Sequence, residues 1–201
     1  MVLLLHLRVY STADFTELPS PRSGATVTGS QLLFQLVRRL PAQLLHGRSA
    51  ISWRTDTGEV SAVLQHPSRS PLRACSLAPD TSLLLAGATD GTATLWDFSS
   101  QTLRRCSVVS EASVVACCFS PCGQMFVTGC TNGDLKLWDI DVHLLHAEKD
   151  AHDLGVACCC FCSQFKVDDC CVEFRLASCG QDNQMKVWIV SQREGGGRPA
   201  S

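Results

Sequence analysis

Thirteen cysteines in 201 residues are the first groups that could do chemistry. Cys159 and Cys162, with Cys170 and Cys171 nearby, offer four thiols, and deprotonated thiols hold Zn²⁺. Zinc takes four ligands in a tetrahedron, commonly from two separated pairs on turns. Cys158, Cys160 and Cys162 instead alternate along an apolar run that reads as a strand. That puts them on one face and Cys159 on the other. Small apolar cysteines packed in strands are the better account, and no metal or other cofactor is expected. The total is odd and several are adjacent (Cys117-Cys118, Cys158 to Cys160, Cys170-Cys171), which does not fit a secreted disulfide framework. Reduced thiols place the chain in the cytoplasm or the nucleus.

Histidine and aspartate come next. His152 stands before an apolar run, 30 residues ahead of Asp182. His66, His143 and His146 have no evident partner pattern. His143 and His146 are three apart on an expected outer strand and so fall on opposite faces. Asp139-x-Asp141 and Asp168-Asp169 read as solvated turns and not as a calcium site. There is no nucleophile elbow, phosphate loop or paired-His zinc motif, so this chain is expected to be no enzyme.

Composition narrows the remaining classes. The chain is 45% hydrophobic and 18% charged, with a formal charge of −2. That is too apolar for a solvated coil and too neutral for a dedicated nucleic-acid binder. No run approaches the ~20 apolar residues of a membrane span. The expected partners are therefore proteins or peptides, not nucleic acid or membrane.

The elements that position these groups follow from a repeat. Trp53, Trp96, Trp138 and Trp188 are spaced by 43, 42 and 50 residues, and Tyr10 stands 43 before Trp53. Six residues before the last three tryptophans come Asp90, Asn132 and Asp182, and upstream of these lie Ala86, Thr128 and Ser178. Leu77 to Asp90 and Phe119 to Asn132 are both 13 residues, whereas Phe161 to Asp182 is 21. One eight-residue insertion near Gln164–Glu173 explains this and the long period. Asp90-Gly91 and Asn132-Gly133 sit between β-type runs, the mark of tight hairpins, whose turns need positive φ. A period near 42 with several short strands implies a β-propeller.

Thr94-Leu95-Trp96-Asp97 and Leu135-Lys136-Leu137-Trp138-Asp139 resemble the Trp-Asp endings of WD40 repeats. The resemblance implies an all-β fold, an incomplete WD40 β-propeller with about three intact blades plus one degraded repeat. It also implies a hydrogen-bonded tetrad of His, Ser/Thr, Asp and Trp in each blade. His152, Ser178, Asp182 and Trp188 match all four positions. The preceding repeat keeps Thr128 and Trp138, has Asn132 for Asp, and lacks an evident His. The one before keeps Asp90 and Trp96 but has Ala86 for the hydroxyl. Asp14 to Pro19, Ala151 to Gly155 and Arg175 to Asp182 further resemble a family that carries a WD40 propeller, then a SAM domain, then a U-box. The U-box implies ubiquitin ligase activity, but no SAM or U-box pattern is present here.

The expected organisation is a remnant of a first WD repeat at 1–21, a degraded or mis-framed repeat at 22–52, WD40 repeats at 53–190, and a flexible Gly-rich tail at 191–201. Over Gln31–Gly47 the pattern reads as a short amphipathic helix with Leu32, Leu33, Leu36, Val37 and Leu40 on one face. The same stretch, back-translated with common codons and read one nucleotide later, yields a Cys-Cys-Phe-Ser run and a Thr-Asp-Gly turn at the repeat spacing. An unclosed propeller would expose two strand edges. Two functional classes follow. The chain is an interaction module, in the relatives presenting ubiquitination substrates to a U-box, with Arg73 and Asp153 as its binding face. Alternatively, a ubiquitin-transfer role is carried over from the whole protein, or, as a third and non-functional class, this product is a truncated fragment.

Overall fold

The computed structural model describes residues 9–10, 17–18, 32–33, 42–53, 60–168 and 171–193. These form strands and turns, and no helix is present among the described residues. The segments expected as the remnant at 1–8 and 11–16, the 194–201 part of the tail, Leu36, Val37 and Leu40, and the insertion tip at 169–170 lie outside them.

A two-residue ladder pairs β1 (Val9–Tyr10) with β2 (Glu17–Leu18). Four antiparallel sheets follow. The first contains β3 (Leu32–Leu33), β4 (Ala42–His46), β5 (Ser49–Trp53) and β6 (Val60–Gln65). The second contains β7 (Leu72–Leu77), β8 (Leu83–Ala88), β9 (Thr92–Asp97) and β10 (Thr102–Val108). The third contains β11 (Val114–Phe119), β12 (Met125–Cys130), β13 (Leu135–Asp139) and β14 (Leu144–Glu148). The fourth has three strands, β15 (Val156–Asp168), β16 (Cys171–Gly180) and β17 (Met185–Arg193). Strands are in sequence order within each sheet. The first strands β7, β11 and β15 pack side by side, so successive sheets lie face to face, and the array does not close into a ring.

Glycine sets how closely the sheets approach. A Cβ on Gly87 would run into Val114, and one on Gly129 would run into Val156. Both valines are fully buried. Each is a side chain of the next sheet's first strand seated over a bare backbone, and burying a valine in this way contributes about 1.5–3 kcal/mol. The main apolar clusters sit at these junctions. Leu85, Leu95, Val114 and Phe126 join the second and third sheets. Val127, Val156, Phe161 and Phe174 join the third and fourth.

Two expectations are corrected. The helix expected over Gln31–Gly47 is absent where the chain is described, because Leu32–Leu33 and Ala42–His46 are strands. The apolar residues there serve a sheet, where neighbouring strands complete their hydrogen bonding. This sheet also has a shorter turn. Trp53 pairs with Ala42, eleven residues back, whereas Trp96, Trp138 and Trp188 each pair with a residue twelve back: Leu84, Phe126 and Leu176. Second, β17 runs to Arg193, past the start expected for the tail at 191.

The insertion is no loop. It lengthens the β15–β16 hairpin, whose register continues through Phe165↔Phe174 and Val167↔Val172 to Asp168↔Cys171. A bulge between Phe161 and Phe165 absorbs the extra residues.

Candidate functional site

The fourth sheet contains a buried polar chain. Trp188 Nε1–H donates to Ser178 Oγ at 2.9 Å, and Ser178 Oγ lies 2.8 Å from His152 Nε2. His152 Nδ1 lies 3.1 Å from both Asp182 carboxylate oxygens. The indole is a donor only, so Ser178 accepts there and gives its own proton to Nε2. His152 is then the Nδ1–H tautomer and donates to Asp182. Every group is satisfied with one proton per bond. Asp182 also accepts from the backbone N–H of Gln184 and of Asp153. Burial opposes its ionisation, but these hydrogen bonds outweigh it and hold the carboxyl below its usual range.

Serine, imidazole and carboxylate in series is also the order of a hydrolase triad. Here His152 and Ser178 are 0% exposed and the serine oxygen already holds an indole N–H. No substrate can approach the oxygen, so the chain fastens strands instead. It ties the segment before β15 to β16, β17 and the turn between them.

The third sheet keeps half of this arrangement. Trp138 Nε1–H donates to the buried Thr128 Oγ1 at 3.0 Å. Asn132 is exposed and contacts Asp134, its amide nitrogen donating to the Asp134 carboxylate at 2.9 Å. The place taken by His152 belongs here to Ser110. A Cβ on Gly133 would meet the His152 carbonyl oxygen, and one on Gly91 would meet that of Ser110. Both glycines have positive φ, +90° and +80°, so geometry and space demand glycine at these two turns.

The second sheet holds a histidine that spacing alone left unpartnered. His66 is 2% exposed and takes the corresponding place, its backbone N–H donating to the Arg48 carbonyl at 2.9 Å. With Ala86 in place of a hydroxyl residue, its ring turns to Thr92 Oγ1 at 2.9 Å and to Ser68 Oγ at 2.9 Å, and both hydroxyls reach Asp90. A partial signal existed: His66 precedes Trp96 by 30 residues, and His152 precedes Trp188 by 36, or 28 without the eight-residue insertion, two short of a match. His143 also gains a partner. It lies in the turn before β14, not on the strand as expected, 2.9 Å from the Asp139 carboxylate. Asp97 caps the matching turn, accepting from Ser99 Oγ and from Ser100 N–H and Oγ, which pushes its carboxyl down to about 2.

Two lysines were missed as well. Lys136 Nζ donates to the Val109 carbonyl at 3.0 Å and Lys186 Nζ to the Ala151 carbonyl at 2.6 Å. Each stands two residues before its tryptophan and clamps the segment entering the sheet.

Trp96 and Trp138 are buried, and Trp188 is half-buried, as core residues would be. The cysteines divide. Cys75, Cys117, Cys130 and Cys159 are buried. Burial pushes the Cys75 thiol up to about 12. Cys158, Cys160 and Cys162 share a face as expected but are exposed, which corrects the reading of buried packing. Their face is the counterpart of the one Val156 covers on the third sheet. No group of three or more His, Cys, Asp or Glu with metal-binding geometry occurs among the described residues.

The proposed binding-face residues are both exposed but are not brought together. Arg73 sits in β7 at a register shift, and Asp153 precedes β15, with the third sheet between them. Val115 and Ala157 occupy the same register shifts in β11 and β15. These positions share the rim at which the first strands begin.

The WD domain, G-beta repeat model matches residues 58–97, 102–139 and 145–188. The chain belongs to the WD40 repeat family. Each matched repeat begins on the outer strand of one sheet and continues through the first three strands of the next, so the sheets are propeller blades sharing repeats. Such a repeat domain is non-catalytic and serves protein interaction. The chain is 57% identical over 189 residues to "WD repeat, SAM and U-box domain-containing protein 1" from Danio rerio, covering 91% of this chain and 38% of that protein. It is 46% identical over 187 residues to the Homo sapiens protein of the same name, covering 92% and 39%. The chain thus spans about two-fifths of the length of these curated relatives. The crystal structure of the computationally designed Ika4 protein matches with a TM-score of 0.63 at 21% identity, over 87% of this chain and 98% of that one. That of the designed Ika8 protein matches with 0.66 at 21% identity, over 91% and 52%. These two show the fold alone.

Proposed function

We propose that this chain is a protein- or peptide-binding WD40 module that recruits substrates for ubiquitination by a U-box ligase. The observation that carries the reading is the contrast between locked blades and a free rim. Buried polar groups fasten the entries to the first strands of the second and fourth blades, while Arg73, Glu111, Asp153 and Leu154 stand exposed beside first-strand entries. A rigid scaffold presenting loops is the usual arrangement for recognition. Aromatic or arginine anchors carry most of the energy at such surfaces. Arg73 is the arginine anchor of this rim, and Asp153 supplies opposite charge on another blade. The U-box in the relatives' name supplies the transfer chemistry outside this chain. The site of action is the cytoplasm or nucleus.

The test uses the full-length Danio rerio relative with the residues aligned to Arg73 and Asp153 reversed in charge, Arg73→Glu and Asp153→Arg in the present numbering. Proteins ubiquitinated in cells by the unmodified form are identified by remnant-peptide mass spectrometry. The expected result is loss of a defined substrate subset with unchanged autoubiquitination. An unchanged substrate set overturns the assignment of this rim.

A further inference from the structure

The polar ring of the second blade differs from that of the fourth in its proton count. Ser68 Oγ lies 2.6 Å from Asp90 Oδ2 and 2.9 Å from His66 Nδ1. Thr92 Oγ1 lies 2.5 Å from Asp90 Oδ1 and 2.9 Å from His66 Nε2. The ring is thus carboxylate, hydroxyl, imidazole, hydroxyl, and back to carboxylate. A hydroxyl has one hydrogen to donate. If both hydroxyls donate to Asp90, both imidazole nitrogens must donate to the hydroxyls, and the imidazole is a cation. If the imidazole is neutral, three protons serve four contacts, and the hydroxyl beside the bare nitrogen can donate either to that nitrogen or to Asp90. The contact it does not serve, to Asp90 or to the ring, has no proton and must open. The ring of the fourth blade has no such deficit, because its chain starts at an indole donor and ends at the carboxylate.

We infer that the His66–Ser68–Asp90–Thr92 ring is a proton-operated latch: closing all four contacts takes up one proton, and losing it opens one contact of Ser68 or Thr92, to Asp90 or to His66. The latch bears directly on the rim. Residues 66–71 join β6 to β7 and lead within two residues to Arg73. Their other ties to the turn are Ser70 Oγ with Thr89 Oγ1 at 3.0 Å, Asp90 N–H to Ser70 Oγ at 3.2 Å and Thr89 N–H to the Pro71 carbonyl at 2.9 Å. The turn also holds the third blade, since Val109 N–H and Ser110 N–H donate to the Gly91 carbonyl at 2.9 and 3.1 Å. Opening the ring therefore loosens the start of the loop that leads to Arg73, while Ser70 and Pro71 stay tied to the turn and the turn's far side stays seated.

The charges that act on His66 are few. Asp90 is the one charged side chain among the described residues that influences it, through the β8–β9 turn. Arg48, on the first blade, meets His66 through its backbone carbonyl and keeps its side chain exposed. The other groups at its ring are the hydroxyls of Ser68, in the same loop, and Thr92, at the start of β9. Burial lowers the His66 ring below the ordinary histidine value, and Asp90 opposes this. Asp90 is exposed; partial desolvation opposes its ionisation, but Ser68, Thr92 and His66 outweigh it and hold the carboxyl below the usual range. The proton therefore sits on the imidazole, and uptake falls on the acid side of pH ~6.5.

The experiment is long-range ¹H–¹⁵N correlation on the ¹⁵N-labelled 201-residue chain, from about pH 8 to about pH 4.5. His66 is expected to pass from one neutral tautomer to a ring protonated on both nitrogens. The amides of Ser68, Arg69, Gly91 and Thr92 should shift with the same midpoint. His152 serves as the internal reference. Ser68→Ala, at an exposed position that folding tolerates, and Thr92→Val should each uncouple the amide shifts from the ring titration. A His66 ring that remains a single neutral tautomer down to acid unfolding overturns the proposal. So does protonation that leaves the 68–69 and 91–92 amides unmoved in the unsubstituted chain.

Discussion

Replacing Ser178 by Ala tests the reasoning about the polar chains most directly. Ser178 Oγ is the only link between Trp188 Nε1, at 2.9 Å, and His152 Nε2, at 2.8 Å. Removing it strands two groups at once. Each buried polar group left without a partner costs about 1–3 kcal/mol. Trp188 is half-buried and can recover part of its hydrogen bond from water, so the expected loss is about 2–4 kcal/mol. Thr128→Val is the control of similar shape. It strands only Trp138 Nε1 and should cost about 1–3 kcal/mol, at the lower end because valine refills the space. Ser178→Thr keeps the hydroxyl and should lose under about 1 kcal/mol. The assay is urea unfolding followed by tryptophan fluorescence, with m-values compared to confirm a common denatured state. By thermal scan the Ser178→Ala loss corresponds to about 4–16 °C for a chain of this length. If Ser178→Ala costs no more than Thr128→Val, the serine is not a shared node, and the proton bookkeeping drawn from it fails.

Four other predictions follow from the geometry. Thr81 has φ +63° in the turn where the third blade places Gly123 at +70°, so Thr81→Gly should stabilise by about 0.5–1 kcal/mol after the entropy of glycine is offset, measured as a higher urea midpoint. Gly133→Ala forces a methyl onto the His152 carbonyl at φ +90° and should cost more than about 2 kcal/mol or prevent soluble expression. Asp97 is held at about 2, below its unfolded value of 3.8, so it stabilises the fold above pH ~4 and that contribution disappears as pH falls toward 2; Asp97→Asn should flatten the acid limb of a stability–pH curve over that window. Iodoacetamide on the native chain should label Cys122 and Cys162 in minutes and leave Cys75 and Cys117 unmodified until denaturant is added, as peptide mass spectrometry would show.

The repeat was legible because propeller geometry forces the same residue types to recur. Gly91 and Gly133 must have positive φ and no Cβ, and the tryptophans must fall opposite the second strand. His152, Ser178, Asp182 and Trp188 could be named together because each keeps its ordinary residue type. His66 could not, because its partners changed when Ala86 removed the hydroxyl: Ser68 and Thr92 took over from positions no repeat pattern marks. Leu32, Leu33, Leu36, Val37 and Leu40 fit a helical period because both periods fit a short leucine-rich run, and only the tertiary pairing of Leu32 with Leu44 decides for strand where the chain is described. The exposure of Cys158, Cys160 and Cys162 was hidden for a related reason. Alternation shows which residues share a face, not what lies against it.

The offset between sequence repeat and blade has a consequence for how such chains change over evolutionary time. Because β6, β10 and β14 each belong to one repeat in sequence and to the preceding blade in space, no blade is a hereditary unit of its own. Duplicating or deleting a 42-residue copy keeps each blade's strand complement only if the cut falls at an equivalent point in both neighbours. Nearest-neighbour coupling of this kind also makes unfolding spread, since melting one repeat strips an outer strand from the blade before it. Mutational damage to a single copy is therefore read out one blade away. Selection on the Leu32–Gln65 blade acts partly through the repeat that begins at Val60.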